Sequence, residues 1–304
     1  MYFDKLQKRR ITLREVLSQG PEYVPCIYDC LSARIMEETG FRAVCFSGGS
    51  FAAAFGGVPD IGLITSTEVK TMVGNIAKVI EVPMIVDIDT GFGNELNTIR
   101  TCVDMAEAGA MAVHLEDQVF PKRCGHMGGK KVIDREAYIR KVRAAADALK
   151  GSGCMLIART DSYLQYGVEE AIERNKRSLE AGADVAFTEG TRSVADVERI
   201  AKEVDGWNMF DMCHGGASPD ISFEDLCQMG YRLVTAPIIG MGGAVYGISE
   251  YAKQAYQSKN DFFAAENGSS PMHLFELMHI QQWMEVGRRY DPDMAAAEET
   301  KPLD

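Results

Sequence analysis

The sequence lacks a long apolar run, an excess of basic residues and a cysteine framework. No window of about 18 apolar residues occurs, and the charged stretch MYFDKLQKRRITLREVL has no apolar export core, so neither membrane spanning nor export is expected. The formal net charge of -12 is unlike that of nucleic-acid-binding proteins and disfavours anionic membranes. The eight cysteines include no CxxC pair, as is typical of reduced intracellular thiols. We expect a cytoplasmic protein without a nucleic-acid or membrane partner.

Two glycine-rich stretches lack the spacings of nucleotide-binding loops. SGGSFAAAFGG at 47–57 has no GxGxxG, and GHMGGKK at 125–131 has no GxxxxGK[ST]. Nucleotide chemistry is therefore not predicted. Glycines in such stretches shape tight turns after strands, or they let backbone N–H groups approach an anion such as a carboxylate. Both interpretations remain open for Ser47, Gly48 and Gly49.

A unit of short apolar run, polar loop and helical interval repeats along the chain. Several intervals end in a glycine before the next run, as in EETGFRAV and AEAGAMAV, which is typical of a left-handed helix C-cap. This alternation predicts a parallel sheet, and the number of units favours a closed (β/α)8 barrel over an open doubly wound sheet. The runs are VPCIYD (24–29), AVCFSGG (43–49), VPMIVDID (82–89), AVHLED (112–117), CMLIART (154–160), DVAFTEG (184–190), NMFDMC (208–213) and RLVTAP (232–237).

Segments outside these units are predicted to extend a single barrel domain that covers residues 1–304. A charged, helix-prone extension precedes Val24, a helical extension covers about 245–290, and an acidic tail follows Tyr290. The C-terminal extension carries an amphipathic helical stripe, which packs either into the core or against a partner subunit. The stripe consists of Leu274, Leu277, Met278, Gln281 and Met284.

Carboxylates follow two neighbouring apolar runs where each buried strand should end. Asp87 and Asp89 end one run, and Glu116 and Asp117 end the next. A single acid at such a place more often caps a helix or bonds a loop. Because the carboxyl ends of barrel strands share one rim, the coincidence of several acids there favours a site for a hard divalent cation such as Mg2+. The other strand-end candidates are Arg159, Asp161, Glu189 and Asp211.

A cationic loop that contains a cysteine follows the second acidic run. It holds Lys122, Arg123, Cys124 and His126, and such cations suit an anionic substrate. Cations and an imidazole near the thiol are expected to bring its pKa toward neutrality, so that Cys124 could transfer a proton. The alternatives are an inert loop thiol or a zinc ligand, and no second Cys or His stands at ligand spacing. The histidine inside a strand, His114, is predicted to be a core residue.

The run KRCGHM at 122–127 resembles the K-[KR]-C-G-H signature of the isocitrate lyase and phosphoenolpyruvate mutase superfamily. The surrounding sequence is similar too, in VDIDTGFGN, LEDQVFPKRCGH, SGG at 47, PDIGL at 59, ARTD at 158 and EG at 189. The resemblance covers most of the chain and implies a (β/α)8 barrel. It also implies that the last barrel helix is exchanged between subunits of a homo-oligomer, usually a dimer of dimers.

The resemblance also implies roles for the candidate residues. It implies that Asp87 and Glu116 bind Mg2+ (or Mn2+), with Asp89 reaching it through water. Closure of the loop at 118–133 would exclude water, and Cys124 would protonate the carbanion. The implied catalytic residues are Cys124, Lys122, His126, Asp60 and Glu189, and the implied substrate-binding residues are Ser47, Gly48, Gly49, Arg159, Gly125 and Asp211.

The expected activity is a Mg2+-dependent lyase that splits a 2-hydroxy dicarboxylate into a 2-oxo acid, such as pyruvate, and a second carboxylic acid. The chain resembles the branch that acts on dialkylmalates and 2-methylisocitrate. Within it, FPKRCGHMGGK looks more like the dialkylmalate lyases and their oxaloacetate-hydrolysing relatives, because 2-methylisocitrate lyases typically continue GH with Arg-Pro-Asn-Lys. The alternatives are a carboxyphosphonoenolpyruvate-type phosphonomutase, an oxaloacetate hydrolase or decarboxylase, and a barrel that binds a dicarboxylate without turnover. Asp211, His214 and Cys45 depart from the residues usual in relatives, which leaves the substrate's side group open.

Overall fold

The computed structural model describes residues 10–291, and its strands form one closed parallel barrel. Each strand pairs with its neighbour in chain order, and β8 pairs with β1. The predicted fold is therefore confirmed. The strands are β1 (Glu22–Ile27), β2 (Val44–Phe46), β3 (Met84–Asp87), β4 (Ala112–Glu116), β5 (Met155–Thr160), β6 (Val185–Thr188), β7 (Trp207–Asp211) and β8 (Leu233–Ala236).

Helices follow the strands as the repeated pattern predicts. Gly40 and Gly109 end two of them with φ of 103° and 111°, which confirms the left-handed C-caps. A π-helical turn, Ala52–Gly56, follows α3. The helices are α1 (Leu13–Gln19), α2 (Cys30–Thr39), α3 (Gly48–Phe51), α4 (Ser66–Val79), α5 (Glu95–Ala108), α6 (Arg135–Leu149), α7 (Tyr163–Tyr166), α8 (Val168–Glu180), α9 (Val194–Glu203), α10 (Phe223–Met229), α11 (Ile238–Ser258), α12 (Phe262–Glu266), α13 (Pro271–Leu277) and α14 (Ile280–Tyr290).

The barrel interior is packed with side chains from the strands and from α1. Leu13 and Leu17 of α1 are fully buried in the same cluster as Ile85 and Ile157. Arg232, just before β8, donates from Nε to the Leu17 carbonyl at 2.6 Å. The predicted N-terminal helix therefore packs at the strands' N-terminal ends, and the opposite rim carries the polar groups.

The chain divides into two compact units after Gly243. Within the second unit, Tyr251 packs edge-on against Phe263 with ring centroids 5.2 Å apart. The predicted amphipathic stripe is divided between two separate helices, α13 and α14. His279 lies between them with φ of 58°, a left-handed conformation that cannot continue a right-handed helix.

Three further expectations concern membrane spanning, the C-terminal tail and the subunit assembly. Among residues 10–291, no helix is both long enough and apolar enough to cross a bilayer. From residue 292 onward, the predicted acidic tail lies outside the described residues. The predicted exchange of a helix between subunits stays a prediction.

Candidate active site

The predicted site residues converge on the rim at the strands' C-terminal ends. Asp87 ends β3, Glu116 ends β4 and Asp211 ends β7, while Glu189 directly follows β6. Strand register pairs Glu116 with Arg159 of β5. One face of the barrel thus gathers acids from four strands around an arginine.

The glycine turn after β2 packs directly against two carboxylates of the rim. The Gly48 N–H donates to Asp87 Oδ2 at 3.3 Å. A Cβ at Gly48 would lie 3.1 Å from Asp87 Oδ2, and one at Gly49 would lie 3.1 Å from Asp60 Oδ2. Ser47 caps α3 by accepting the Ser50 N–H at 3.2 Å. Glycine is favoured at both positions because the two carboxylates approach the backbone closely, and this packing places Asp60 in the site.

Lys122 lies among the acids that were predicted to bind a metal. Its side chain is only 4% exposed, its Nζ lies 2.7 Å from Asp89 Oδ1, and it donates to Asp60. Burial raises the pKa of Asp89 to about 6, against the effect of Lys122 and with the help of the Asp87 charge. Burial also acts on Asp87, but His114, Lys122 and Arg159 outweigh it and lower its pKa. The ammonium therefore compensates much of the negative charge.

Glu116 is a buried carboxylate at the rim, and one of its two oxygens accepts no hydrogen bond. Oε1 has no hydrogen-bond partner, and Oε2 lies 3.5 Å from Arg159 Nε. Burial raises the pKa of Glu116 well above its usual value, although Arg159 and Lys122 oppose this. A buried acceptor without a donor is costly unless something else binds it. An all-carboxylate donor set with such an oxygen fits a hard divalent cation.

Arg159 is buried and paired with three carboxylates. It donates to Asp161 from Nε at 2.8 Å and from Nη2 at 3.0 Å. Its Nη1 lies 3.3 Å from Glu189 Oε2. Burial would raise the pKa of Asp161, but Arg159 and Lys130 hold it far below its usual range. The guanidinium is thus oriented at the centre of the rim, where it could bind an anionic substrate.

The cysteine loop, residues 118–133, is closed over this rim. The Val119 N–H donates to the Lys131 carbonyl at 2.7 Å at the base of the loop. At its tip, the Cys124 N–H donates to the Asp60 carbonyl at 3.1 Å. A Cβ at Gly125 would lie 2.5 Å from Arg159 Nη2, so this residue packs against the arginine. The loop therefore brings the thiol to the acids and the arginine.

The predicted shift of the thiol pKa toward neutrality is wrong. Burial raises the pKa of Cys124, and the opposing effects of the His126 backbone N–H, the His126 charge and Arg159 are smaller. Asp60, which the sequence pattern did not place beside the thiol, also raises it. Cys124 is thus held as a neutral thiol near pH 7, a form that can donate a proton.

His126 lies between two carboxylates. Its Nε2 is 3.4 Å from Asp211 Oδ2, and its Nδ1 is 4.0 Å from Glu189 Oε1. Hydrogen bonds to Asp211 and Cys213 raise the pKa of His126 to about 11, against burial. Among the described residues, His126, Glu189 and Asp211 form a group whose possible metal-ligand atoms all lie within 4.8 Å of one another. The acids that were predicted to bind the metal, Asp87, Asp89 and Glu116, do not form such a group. The Nδ1 atom also accepts the Ala217 N–H at 3.3 Å, so hydrogen-bonding partners hold the imidazole ring on both of its nitrogens.

Sequence reasoning missed the role of Lys130 and grouped Asp117 with the strand-end acids of the predicted cation site. Lys130 donates to Asp161 Oδ1 at 2.5 Å and to the Gly125 carbonyl. Asp117 is structural, since it accepts the Asp161 N–H at 2.8 Å and Arg174 Nη1 at 3.0 Å. Neither pairing has a local signal, because each joins segments that are distant in sequence.

Three other residues noted in the sequence differ widely in their surroundings. His214 is 90% exposed and pairs with Asp220 at 2.9 Å. Cys45 is buried in the barrel interior beside Cys26. His114 is buried in β4, as predicted.

Residues 13–255 match the sequence model of a family described as phosphoenolpyruvate phosphomutase. The chain belongs to this family. The match confirms the superfamily that the KRCGHM motif indicated.

Named relatives of this phosphomutase-family protein include a mutase and lyases. It is 36% identical to the chloroplastic carboxyvinyl-carboxyphosphonate phosphorylmutase of Arabidopsis thaliana, over 91% of this chain and 83% of that protein. It is 37% identical to the 2,3-dimethylmalate lyase of Eubacterium barkeri, over 74% and 78%. It is 36% identical to the 2-methylisocitrate lyase of Aeropyrum pernix, over 78% and 77%. These similarities confirm the prediction that the chain is an enzyme of this superfamily.

Solved structures show the same fold. A 2,3-dimethylmalate lyase superposes with a TM-score of 0.87 at 32% identity, covering 91% of this chain and 95% of that one. Oxaloacetate acetylhydrolase with 3,3-difluorooxalacetate gives 0.86 at 32%, covering 90% and 94%. A phosphonopyruvate hydrolase with oxalate and Mg2+ gives 0.82 at 25%, covering 91% and 97%.

Proposed function

We propose that this protein is a Mg2+-dependent lyase that cleaves the C2–C3 bond of a substituted malate, of the dialkylmalate or 2-methylisocitrate type. The products would be a 2-oxo acid, such as pyruvate, and a second carboxylic acid. The observation that carries the proposal is the closure of a loop with a protonated thiol over a rim of acids and a buried arginine. The similarity to two named lyases supports it.

The divalent cation would be held by Asp87, Asp89 and Glu116. The unpartnered Glu116 Oε1 and the all-carboxylate set support Mg2+, or Mn2+, as does the Mg2+ in the related phosphonopyruvate hydrolase. When bound, the cation supplies positive charge that stabilises the oxygen anion developing at C2 of the substrate. Lys122 would then have to release part of its contact with Asp89.

Arg159 and the glycine turn would hold the substrate's 2-hydroxy acid portion. Arg159 already binds three carboxylates, so a substrate carboxylate can replace one of them without new desolvation of the guanidinium. The backbone of Gly48 and Gly49, with Ser47 and Asp60 beside it, packs closely against the rim carboxylates and would present its N–H groups to the substrate. Gly125 and Asp211 would line the same space on the loop side.

Proton transfers would be carried by residues of the rim and loop. Glu189 has a buried Oε1 without a hydrogen-bond partner. We assign Glu189 as the base that accepts the proton of the substrate's hydroxyl group. As the O–H electrons form the C=O bond, the C2–C3 bond breaks and its pair remains on C3. The Cys124 thiol would donate its proton to C3, and Lys122 and His126 would stabilise the negative charge of the departing carboxylate.

A coupled assay tests this function. We expect Mg2+-dependent release of pyruvate or glyoxylate from at least one member of a panel of 2,3-dimethylmalate, 2-methylisocitrate and related malates. EDTA should abolish the signal and excess Mg2+ should restore it. Glu116→Gln should lower turnover by about 10²-fold or more, because it removes a cation ligand. Glu107→Gln, an exposed change of the same kind on α5, should have no effect.

The assay also separates the rival activities. Absence of any Mg2+-dependent 2-oxo acid across the panel would overturn the lyase proposal. The plant mutase, similar over 91% of this chain, motivates the phosphonomutase alternative, which phosphorus NMR with a phosphonopyruvate-type substrate would detect. Oxaloacetate converted to acetate and oxalate would instead indicate a hydrolase, and carbon dioxide a decarboxylase. A cytoplasmic location and a dimer of dimers stay predictions.

A further inference from the structure

We propose that Lys130 is a positioning residue that latches the cysteine loop to the substrate-binding arginine through Asp161. Its Nζ lies 2.5 Å from Asp161 Oδ1 and also donates to the Gly125 carbonyl, next to the reactive thiol. The Lys130 side chain is only 3% exposed, whereas the neighbouring Lys131 is exposed. A lysine of a surface loop is buried in this way only where it has a specific anionic partner.

Asp161 links the latch to the reaction centre. The same carboxylate receives two hydrogen bonds from Arg159, and its backbone N–H is fixed by Asp117. The Asp161 carboxylate is therefore held in place, and it pairs with Arg159 of the barrel and with Lys130 of the loop. Opening of the loop would remove Lys130 and leave Asp161 with Arg159 alone.

Because Arg159 and Lys130 both pair with Asp161, loop closure and ligand binding should favour each other. An anionic ligand on Arg159 draws the guanidinium away from Asp161 and adds negative charge beside it. Both effects strengthen the attraction between Asp161 and Lys130, and by linkage the latched loop binds the anion more tightly. This step rests on the proposed function, because it takes Arg159 as the site of the substrate carboxylate.

Alkylation of Cys124 by iodoacetamide, mapped by mass spectrometry, tests the latch without requiring turnover. We expect Lys130→Met to label Cys124 about tenfold faster than the wild type, because the loop opens more often. The matched control Lys131→Met, with the same charge change on the same loop, should label at the wild-type rate. Mg2+ with oxalate should slow labelling of the wild type and should protect Lys130→Met much less.

Two further measurements separate the latch from a general loss of structure. Hydrogen exchange of peptides covering 120–130 should speed up in Lys130→Met, while peptides of the barrel strands stay unchanged. Lys130→Arg, which keeps the charge, should recover part of the slow labelling, and Lys130→Gln, which keeps only a donor, should not. Wild-type labelling and exchange in a folded Lys130→Met protein would overturn the proposal. An inactive wild type in the lyase assay would refute the function but leave these rates unaffected.

Discussion

Replacing Cys124 by serine should lower turnover by about 10²–10⁴-fold, the usual contribution of a positioned general acid. A serine hydroxyl is a far weaker acid than a thiol, so the carbanion formed at C3 would lose its proton donor. Burial raises the pKa of the Cys124 thiol, which keeps the proton in place near pH 7 until it is transferred. The measurement is kcat on whichever malate the assay identifies, together with thermal melting.

The control for this variant is Cys227→Ser on α10, a partly exposed thiol that lies outside the site. It should keep full activity. A folded Cys124→Ser protein with wild-type kcat would show that another group protonates the product, and it would remove the thiol from the mechanism.

Replacing Gly125 by alanine should lower kcat/KM by about 10²-fold or more, since a misplacement of about 1 Å at a reaction centre has an effect of that size. The added Cβ would lie 2.5 Å from Arg159 Nη2 and 2.6 Å from Glu189 Cδ. Both side chains are buried and form an ion pair with each other, so moving either of them away would break that pair. The loop would have to lift, and the thiol and Lys122 would leave the rim with it.

Gly128→Ala is the matched control on the same loop, because a Cβ there meets no atom within 4 Å. We expect near wild-type kinetics from it and an unchanged melting temperature from both variants. If Gly125→Ala kept wild-type kcat/KM, close packing of the loop on Arg159 would not be part of the active state.

The barrel and the location of its site could be predicted from the sequence because both depend on local patterns. Buried parallel strands read as apolar runs, and acids such as Asp87 and Glu116 can stand only where burial ends. The glycine caps follow from the same local rules, as Gly40 and Gly109 show. Eight repeats of one unit then restricted the topology.

The properties that could not be predicted depend on contacts between distant residues. The pKa of Cys124 follows from its burial beside Asp60, 64 positions away in sequence, and the cationic neighbours suggested the opposite direction. Lys130 reads as one of two adjacent loop lysines, and only the fold distinguishes it from Lys131. The break at His279 likewise depends on backbone conformation that apolar spacing does not encode.

The most direct test of the central claim is product analysis by NMR after turnover of the malate panel in D2O with Mg2+. The account predicts a 2-oxo acid and a second carboxylic acid in equal amounts, the latter with a single deuterium on the carbon that lost its bond. For 2,3-dimethylmalate these products would be pyruvate and propionate deuterated at C2. Release of no 2-oxo acid from any member of the panel, or of a second acid without deuterium at that carbon, would contradict it.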